Sequence, residues 1–480
     1  MNLSVVRYTL GKVILCESAL LGLPFVVSLI YREPREAVAF LITMAVCLAL
    51  GVLCLMRKPK EPMFYPREGY VITALSWILI SVLGALPFFI SGAIPDVVSA
   101  LFETVSGFTT TGASILSEVE HLPYSILFWR SFTHWIGGMG VLVFILMLHA
   151  PSGGSSANLM KAESPGPQVE KLVPRLQSTA KILYMIYIVM TLLQIVFLLL
   201  GGMSLFEAAT IAFGTAGTGG FGIRNDSAAS YSPYLQWVIT VFMTLFGVNF
   251  SFYFLLLKKK ALRAFAMEEV HCYFLVLIVA AGLIVLNTRG LFSGTGDAVR
   301  AAAFQVSSIM TTAGFSTVDF DMWPQLSKTL LVILMFVGAC AGSTGGGMKI
   351  SRFMILFKSV RKELQHFLHP SGVSKITVDH KQVPHEVVRA VNVYAAAYFL
   401  IFAASVVLLS FENLDAVTNF TAVTTAINNV GPGLSLVGPT GNFSVFSSWS
   451  KLVLIFDMLV GRLEIFPMLL IFTPSAWKKF

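Results

Sequence analysis

Charge is what this chain has least of. Asp, Glu, Lys and Arg make up 12% of its 480 residues, against roughly 25% in an ordinary soluble protein, and that shortage excludes a soluble multidomain enzyme. Cysteine is sparse as well. Cys16, Cys47, Cys54, Cys272 and Cys340 are scattered, four of them within or beside apolar runs, so neither a disulfide framework nor a thiolate metal site is written here and they read as packing residues. The eight histidines form no metal-like cluster, and none stands at a recognisable spacing from a Ser or Cys nucleophile. A membrane-embedded enzyme therefore lacks support. No soluble nucleotide-binding domain is visible either. Basic residues outnumber acidic ones, 33 to 25, for a net charge of +8; in a soluble chain that would suggest a nucleic-acid partner, but these charges flank apolar segments and speak against one.

What is abundant is apolar length. Hydrophobic residues are 56% of the chain, and a membrane-spanning helix needs about 20 of them in a row. Runs of that length lie near 10–31, 36–56, 70–91, 125–149, 179–201, 233–257, 271–288, 326–357, 389–411 and 447–472. The first follows Arg7 and Lys12, contains Glu17 and has no small-residue cleavage site before a polar mature segment, so it reads as a retained helix and not as a signal peptide. Assigning the connections to alternate sides puts 23 Lys and Arg on the side of both termini and five, Arg32, Arg35, Arg224, Arg289 and Arg300, on the other. The positive-inside bias then places both termini in the cytoplasm. The fold class is an all-α polytopic membrane protein embedded in lipid.

Four external connections, near 92–124, 202–232, 289–325 and 412–446, are too apolar for soluble loops. Each opens on a helix-like stretch, Val97 to Phe108, Leu205 to Phe213, Ala298 to Met310 and Leu414 to Ala426. Each then runs into small and hydroxyl residues around glycine: Thr109-Thr110-Thr111-Gly112, Gly217-Thr218-Gly219-Gly220, Thr311-Thr312-Ala313-Gly314 and Asn428-Asn429-Val430-Gly431. With Gly112, Gly219, Gly314 and Gly431 as markers, the spacing is 107, 95 and 117 residues. A unit of span, re-entrant segment and span repeats four times after an extra helix pair, dividing the chain into 1–60, 61–165, 166–265, 266–370 and 371–480. Non-helical backbone at membrane depth survives only where protein buries it or a watery cavity lines it, and four such segments suggest one shared cavity. Glycine frees the backbone so that successive carbonyls can replace a cation's hydration shell. The competing reading is that Gly, Ser and Thr merely let helices pack closely.

The fourfold repeat, Thr-Thr-Thr-Gly at 109–112, Thr-Gly-Gly-Phe at 218–221, Asn-Asn-Val-Gly-Pro-Gly at 428–433, Gly342-Ser343-Thr344-Gly345-Gly346-Gly347-Met348-Lys349 and Gly461-Arg462-Leu463-Glu464 together resemble the Trk/Ktr/HKT superfamily of cation transport proteins. The resemblance covers the whole chain, and the helices at 10–56 resemble those of the bacterial Trk-type potassium uptake subunit more than the shorter Ktr type. It implies potassium uptake across a bacterial cytoplasmic (inner) membrane, with potassium as permeant ligand and no organic cofactor on this chain. The four segments would surround one axis and offer main-chain carbonyls, carried over by position to Thr110, Thr111 and Gly112; Gly217, Thr218 and Gly219; Thr312, Ala313 and Gly314; and Asn429, Val430 and Gly431. Serine at the first filter glycine accompanies sodium permeation in some plant members, so Gly112 favours potassium. The glycine-rich second segment and the asparagines of the fourth deny the filter strict fourfold symmetry. The resemblance also implies a homodimer and a separate cytosolic nucleotide-binding ring, responsive to NAD, ATP or ADP, docked on the basic loops 150–178 and 351–389. A secondary transporter coupling a cation or small solute to sodium or protons is the alternative, although such proteins usually show inverted repeats and here the re-entrant segments all lie on the outer side.

Two intramembrane features stand apart. Residues 338–347 hold five glycines in ten, too many for a straight helix. A phosphate-binding loop would need Lys directly after the last glycine, and here Met348 precedes Lys349. By resemblance the stretch, with Gly342, Ser343, Thr344, Gly345, Gly346, Gly347 and Lys349, forms an unwound loop obstructing the pore. The other feature is Arg462, near the middle of the last span, where a charge costs at least about 2.5 kcal/mol and Glu464, two residues on, does not share its helix face. By resemblance Arg462 projects into the pore as an electrostatic barrier; a structural pair with Asp457 or another span is the competing reading. Arg130, Glu103 and Glu207 read as structural anchors. Asp96, Glu118, Glu120, Asp226, Asp319, Asp321 and Asp415 on the outer side would concentrate cations at the mouth.

Overall fold

Apolar length builds the frame. The computed structural model describes residues 1–59, 65–140, 176–370 and 374–478, and apart from a two-residue hairpin, Thr377–Val378 with Lys381–Gln382, its regular structure is helical. Among the described residues six helices are long and apolar enough to cross a membrane: Leu3–Ile30, Pro34–Leu55, Pro66–Ser91, Ala180–Leu200, Glu268–Leu291 and His385–Glu412. They fall on the spans expected near 10–31, 36–56, 70–91, 179–201, 271–288 and 389–411. In the extra pair, small residues set the packing: Gly11 and Gly51 face each other so closely that a Cβ on either would come within 3.2 Å of the other's carbonyl oxygen, the close approach that glycine allows between helices in lipid. The opposite face of Pro34–Leu55 leaves Val38, Leu41, Leu48 and Leu53 exposed.

Inside this frame lie four short helices, Val97–Phe108, Leu205–Gly217, Thr295–Met310 and Ala416–Asn428, at the places where the sequence predicts helix-like stretches. They are buried despite their polar residues because hydroxyls bond back to their own helix: Thr104 to the Ala100 carbonyl, Thr215 to Ile211, Thr311 to Ser307 and Thr424 to Phe420, all at 2.6–2.8 Å.

The second helix of each unit departs from the expectation of continuous spans. The predicted span at 125–149 is helical over Tyr124–Met139 and turns at Gly140 with φ +81°, its remainder lying outside the described residues. That at 233–257 is two helices, Pro233–Phe246 and Phe250–Leu257, bent by 87°. That at 326–357 is Gln325–Val337, an unwound stretch from Gly338 to Lys349, then Ile350–Leu368. The last, 447–472, breaks after Arg462 at Glu464 and Ile465, both with positive φ, before resuming as Phe466–Ile471. Only the third of these breaks falls in the stretch that the sequence reading takes as unwound. Mutual repair makes the second and third tolerable: the Cys340 N–H donates to the Gly247 carbonyl at 3.1 Å, the Phe250 N–H to the Gly342 carbonyl at 3.0 Å, and the Ala341 N–H to Glu269 at 2.6 Å. Backbone groups freed by one break are satisfied by the other, which is what membrane depth demands.

Candidate functional site

Each short helix ends the same way. The residue after its last turn has left-handed backbone, at Thr110, Thr218, Thr312 and Asn429 with φ of 54–60°, and two residues on stands a positive-φ glycine, Gly112, Gly220, Gly314 and Gly431. The hydrogen bonds repeat too. The left-handed residue donates its N–H three residues back, to Gly107, Thr215, Ile309 and Ala426, and the next donates to Ser106, Gly214, Ser308 and Thr425. This register decides equivalence: in the second segment Thr218, Gly219 and Gly220 correspond to Thr110, Thr111 and Gly112, one residue later than the sequence markers suggest. The consecutive glycines 219 and 220 look alike in sequence, and only backbone φ separates them.

The four segments close into a ring. A Cβ added at Gly112 would overlap the Gly219 carbonyl oxygen, one at Gly220 the Ala313 carbonyl, one at Gly314 the Val430 carbonyl, and one at Gly431 would come within 2.9 Å of the Thr111 carbonyl. The glycine of each segment thus lies against the middle carbonyl of the next, and the fourth returns to the first. On one side a cavity of about 150 Å³ touches all four ring glycines and the loops that follow them; on the other a cavity of about 90 Å³ is bounded by Asn429, Gly345, Gly346, Gly347, Lys349 and Arg462. All four short helices point their C-termini here, where the helix dipole carries partial negative charge.

The unwound stretch lies directly beneath the ring. The Gly346 N–H donates to Thr312 Oγ1 at 2.6 Å, the Gly347 N–H to the Asn428 carbonyl at 2.9 Å and Lys349 Nζ to the Gly345 carbonyl. Arg462 reaches the same place. Its guanidinium donates to Thr110 Oγ1 at 3.2 Å, to the Thr344 carbonyl at 3.0 Å, to the Gly138 carbonyl at 2.9 Å and to the Gly137 carbonyl. Asp457 instead accepts from Ser405 at 2.7 Å, and Glu464 pairs with Arg352. So one arginine touches Thr110 of the first ring segment, the unwound loop and the end of a third element.

A family model described as TrkH, cation transport protein, matches residues 36–479. This chain belongs to the TrkH family. The Trk system potassium uptake protein TrkH of Escherichia coli is 34% identical over the full length of both chains, and that of Vibrio parahaemolyticus 35% identical over 99% of each. The crystal structure of the potassium transporter TrkH from Vibrio parahaemolyticus superposes with a TM-score of 0.89 at 33% identity, covering all of both chains. The chain is accordingly a multi-pass membrane transport protein and not an enzyme.

The remaining charges of this TrkH-family chain divide by role. Arg130 and Glu103 form a buried pair at 2.8 Å, and Arg130 also donates to the Gly222 carbonyl at 3.2 Å and to Ser114 at 3.3 Å, tying the loops after the first two ring segments together. Arg224 and Glu207 pair at 2.8 Å. Asp96 and Asp415 cap two short helices, accepting from the Ser99 and Thr418 N–H groups at 2.8 and 3.0 Å. Both carboxyls are held below the ordinary aspartate range, chiefly by side-chain hydrogen bonds from Ser99 and Thr418. Among the described residues no group of three or more His, Cys, Asp or Glu is placed to hold a metal. Sequence reasoning passed over two residues at this site, Gly220 and His134, the second a buried imidazole behind the second segment. A lone histidine in an apolar run carried no signal.

Proposed function

We propose that this chain takes potassium into a bacterial cell across the cytoplasmic membrane, through a filter formed by the carbonyls of residues 110–112, 218–220, 312–314 and 429–431. The ring closed by Gly112, Gly220, Gly314 and Gly431 carries this reading: four short helices deliver their C-terminal ends and an equivalent backbone turn to one axis, as carbonyl coordination of a dehydrated cation requires. The curated relatives named above are potassium uptake proteins, which supports potassium as the ion. The unwound loop from Gly342 to Gly347, with Lys349 and Arg462, acts as the gate: it fills the space beneath the ring and places positive charge there. Both termini face the cytoplasm, two copies associate in the membrane, and a cytosolic nucleotide-binding ring acts on the inner face, on the segment 351–389 and on 150–178, most of which lies outside the described residues.

Reversal potentials of the purified protein in liposomes, taken under separate potassium, sodium and proton gradients, test this. A reversal potential that follows the potassium gradient is expected. One that follows the sodium gradient alone would make sodium the ion, and one set jointly by two gradients would replace this reading with that of a coupled transporter.

A further inference from the structure

The second ring segment lacks what the other three have. At the middle position the others carry buried side chains, Thr111, Ala313 and Val430, and Thr111 Oγ1 bonds both Thr109 at 2.8 Å and Asn429 at 2.9 Å. The second segment has Gly219 there. Backbone conformation does not explain it, since neither Gly217 nor Gly219 has a positive φ. Space does. A Cβ on Gly219 would overlap the His134 ring, and one on Gly217 would overlap the His134 carbonyl oxygen.

His134 lies on Tyr124–Met139, the second helix of the first unit, and is wholly buried. Its Nε2 lies 3.2 Å from the Phe221 backbone nitrogen and its Nδ1 2.7 Å from the Gly107 carbonyl oxygen. A backbone N–H can only donate and a carbonyl can only accept, so the pair of contacts selects one neutral tautomer, with Nε2 accepting from Phe221 and the proton on Nδ1 donated to Gly107. The ring also packs on Phe221 with centroids 4.3 Å apart. Gly107 belongs to the first short helix, and Phe221 follows the ring glycine Gly220 directly.

We propose that His134 is a positioning residue for the filter: borrowed from the neighbouring unit, it occupies the room of the missing side chain at Gly219 and locks the second segment to the first short helix. This rests on the reading of the ring as a potassium filter. It also accounts for two glycines of that segment without invoking flexibility, because Gly219 makes room for the imidazole and Gly217 for the helix backbone that carries it.

The test is the potassium-to-sodium permeability ratio in liposomes, with monodispersity and potassium flux read on the same preparations. His134→Leu keeps bulk and removes both hydrogen bonds, and should narrow the ratio about tenfold, the worth of a buried hydrogen bond or two. His134→Gln can accept from Phe221 and donate to Gly107, and should recover most of what His134→Leu loses. Gly219→Ala should harm selectivity in the native background, and should cost less in a His134→Ala background, where the ring atoms nearest the added methyl are gone. A well-folded His134→Leu protein with an unchanged ratio overturns the inference. So does a Gly219→Ala cost that is the same in both backgrounds. Loss of potassium selectivity in the unmodified protein would instead overturn the filter reading itself, and this inference with it.

Discussion

At the scale of single residues, glycine and arginine carry the chemistry for opposite reasons. Gly112 combines φ of +78° with a neighbour that leaves no room for Cβ, so no L side chain enters without moving the Gly219 carbonyl. Gly112→Ser is expected to narrow the preference for potassium over sodium, read as the permeability ratio in liposomes; an unchanged ratio would remove Gly112 from the filter. Arg462 holds bulk and charge beneath the ring through bonds to Thr110, Thr344, Gly137 and Gly138. As a gate, Arg462→Ala should raise basal potassium flux several-fold while leaving the ion preference intact, because the filter lies further out. Were the arginine a structural tie, its loss would leave buried carbonyls without a donor, at about 1–3 kcal/mol for each, and give a poorly folded protein with little flux. Flux and monodispersity measured on one preparation decide, and a well-folded variant with unchanged or lower flux would refute the gate.

At the scale of elements, the short helices were legible because their caps and polar ends are local. Asp96 and Asp415 show this: each accepts from the N–H three residues on, and each replaced by Ala should lower stability by about 1 kcal/mol, the usual worth of an N-cap, seen as a lower midpoint of thermal unfolding in detergent. Because both carboxyls are held below their ordinary range, their contribution is complete above the unfolded aspartate value of about 3.9 and is lost only as pH falls through the lower folded value. Unfolding midpoints should therefore lose their cap-dependent part in acid and not near neutrality. The broken helices were far less legible. Residues 233–257 read as one apolar run, and their 87° bend exists because the unwound stretch at Gly338–Lys349 supplies the partners that Gly247 and Phe250 would otherwise lack. Shortening Gly345 to Gly347 should act like Arg462→Ala on flux, since it removes the backbone donated to Thr312 and Asn428.

At the scale of the whole molecule, orientation is the testable property. Cysteines placed at Glu120, Asp226, Asp321 and Asp415 should react with an impermeant reagent only from outside, and those at Lys259 and Lys375 only from inside; Lys171, also expected inside, lies outside the described residues. One reversal would break the arrangement of four units in a single orientation. The extra helix pair packs against Pro66–Ser91, through contacts such as Glu17 approaching Gly84, and does not reach the ring glycines.

The membrane class, the positions of the short helices and the grouping of glycine with hydroxyl residues followed from the sequence alone, because hydropathy and local turn chemistry act over a few neighbouring residues. Which glycine of the pair 219 and 220 joins the ring, where three of the four second helices break, and why a histidine of one unit stands behind the ring segment of the next were decided only in three dimensions. The closure of the ring, the His134–Phe221 bond and the paired breaks at Gly247 and Cys340 depend on a carbonyl, an N–H or a side chain supplied from about 80 to 320 residues away, and no local pattern records a partner at that distance.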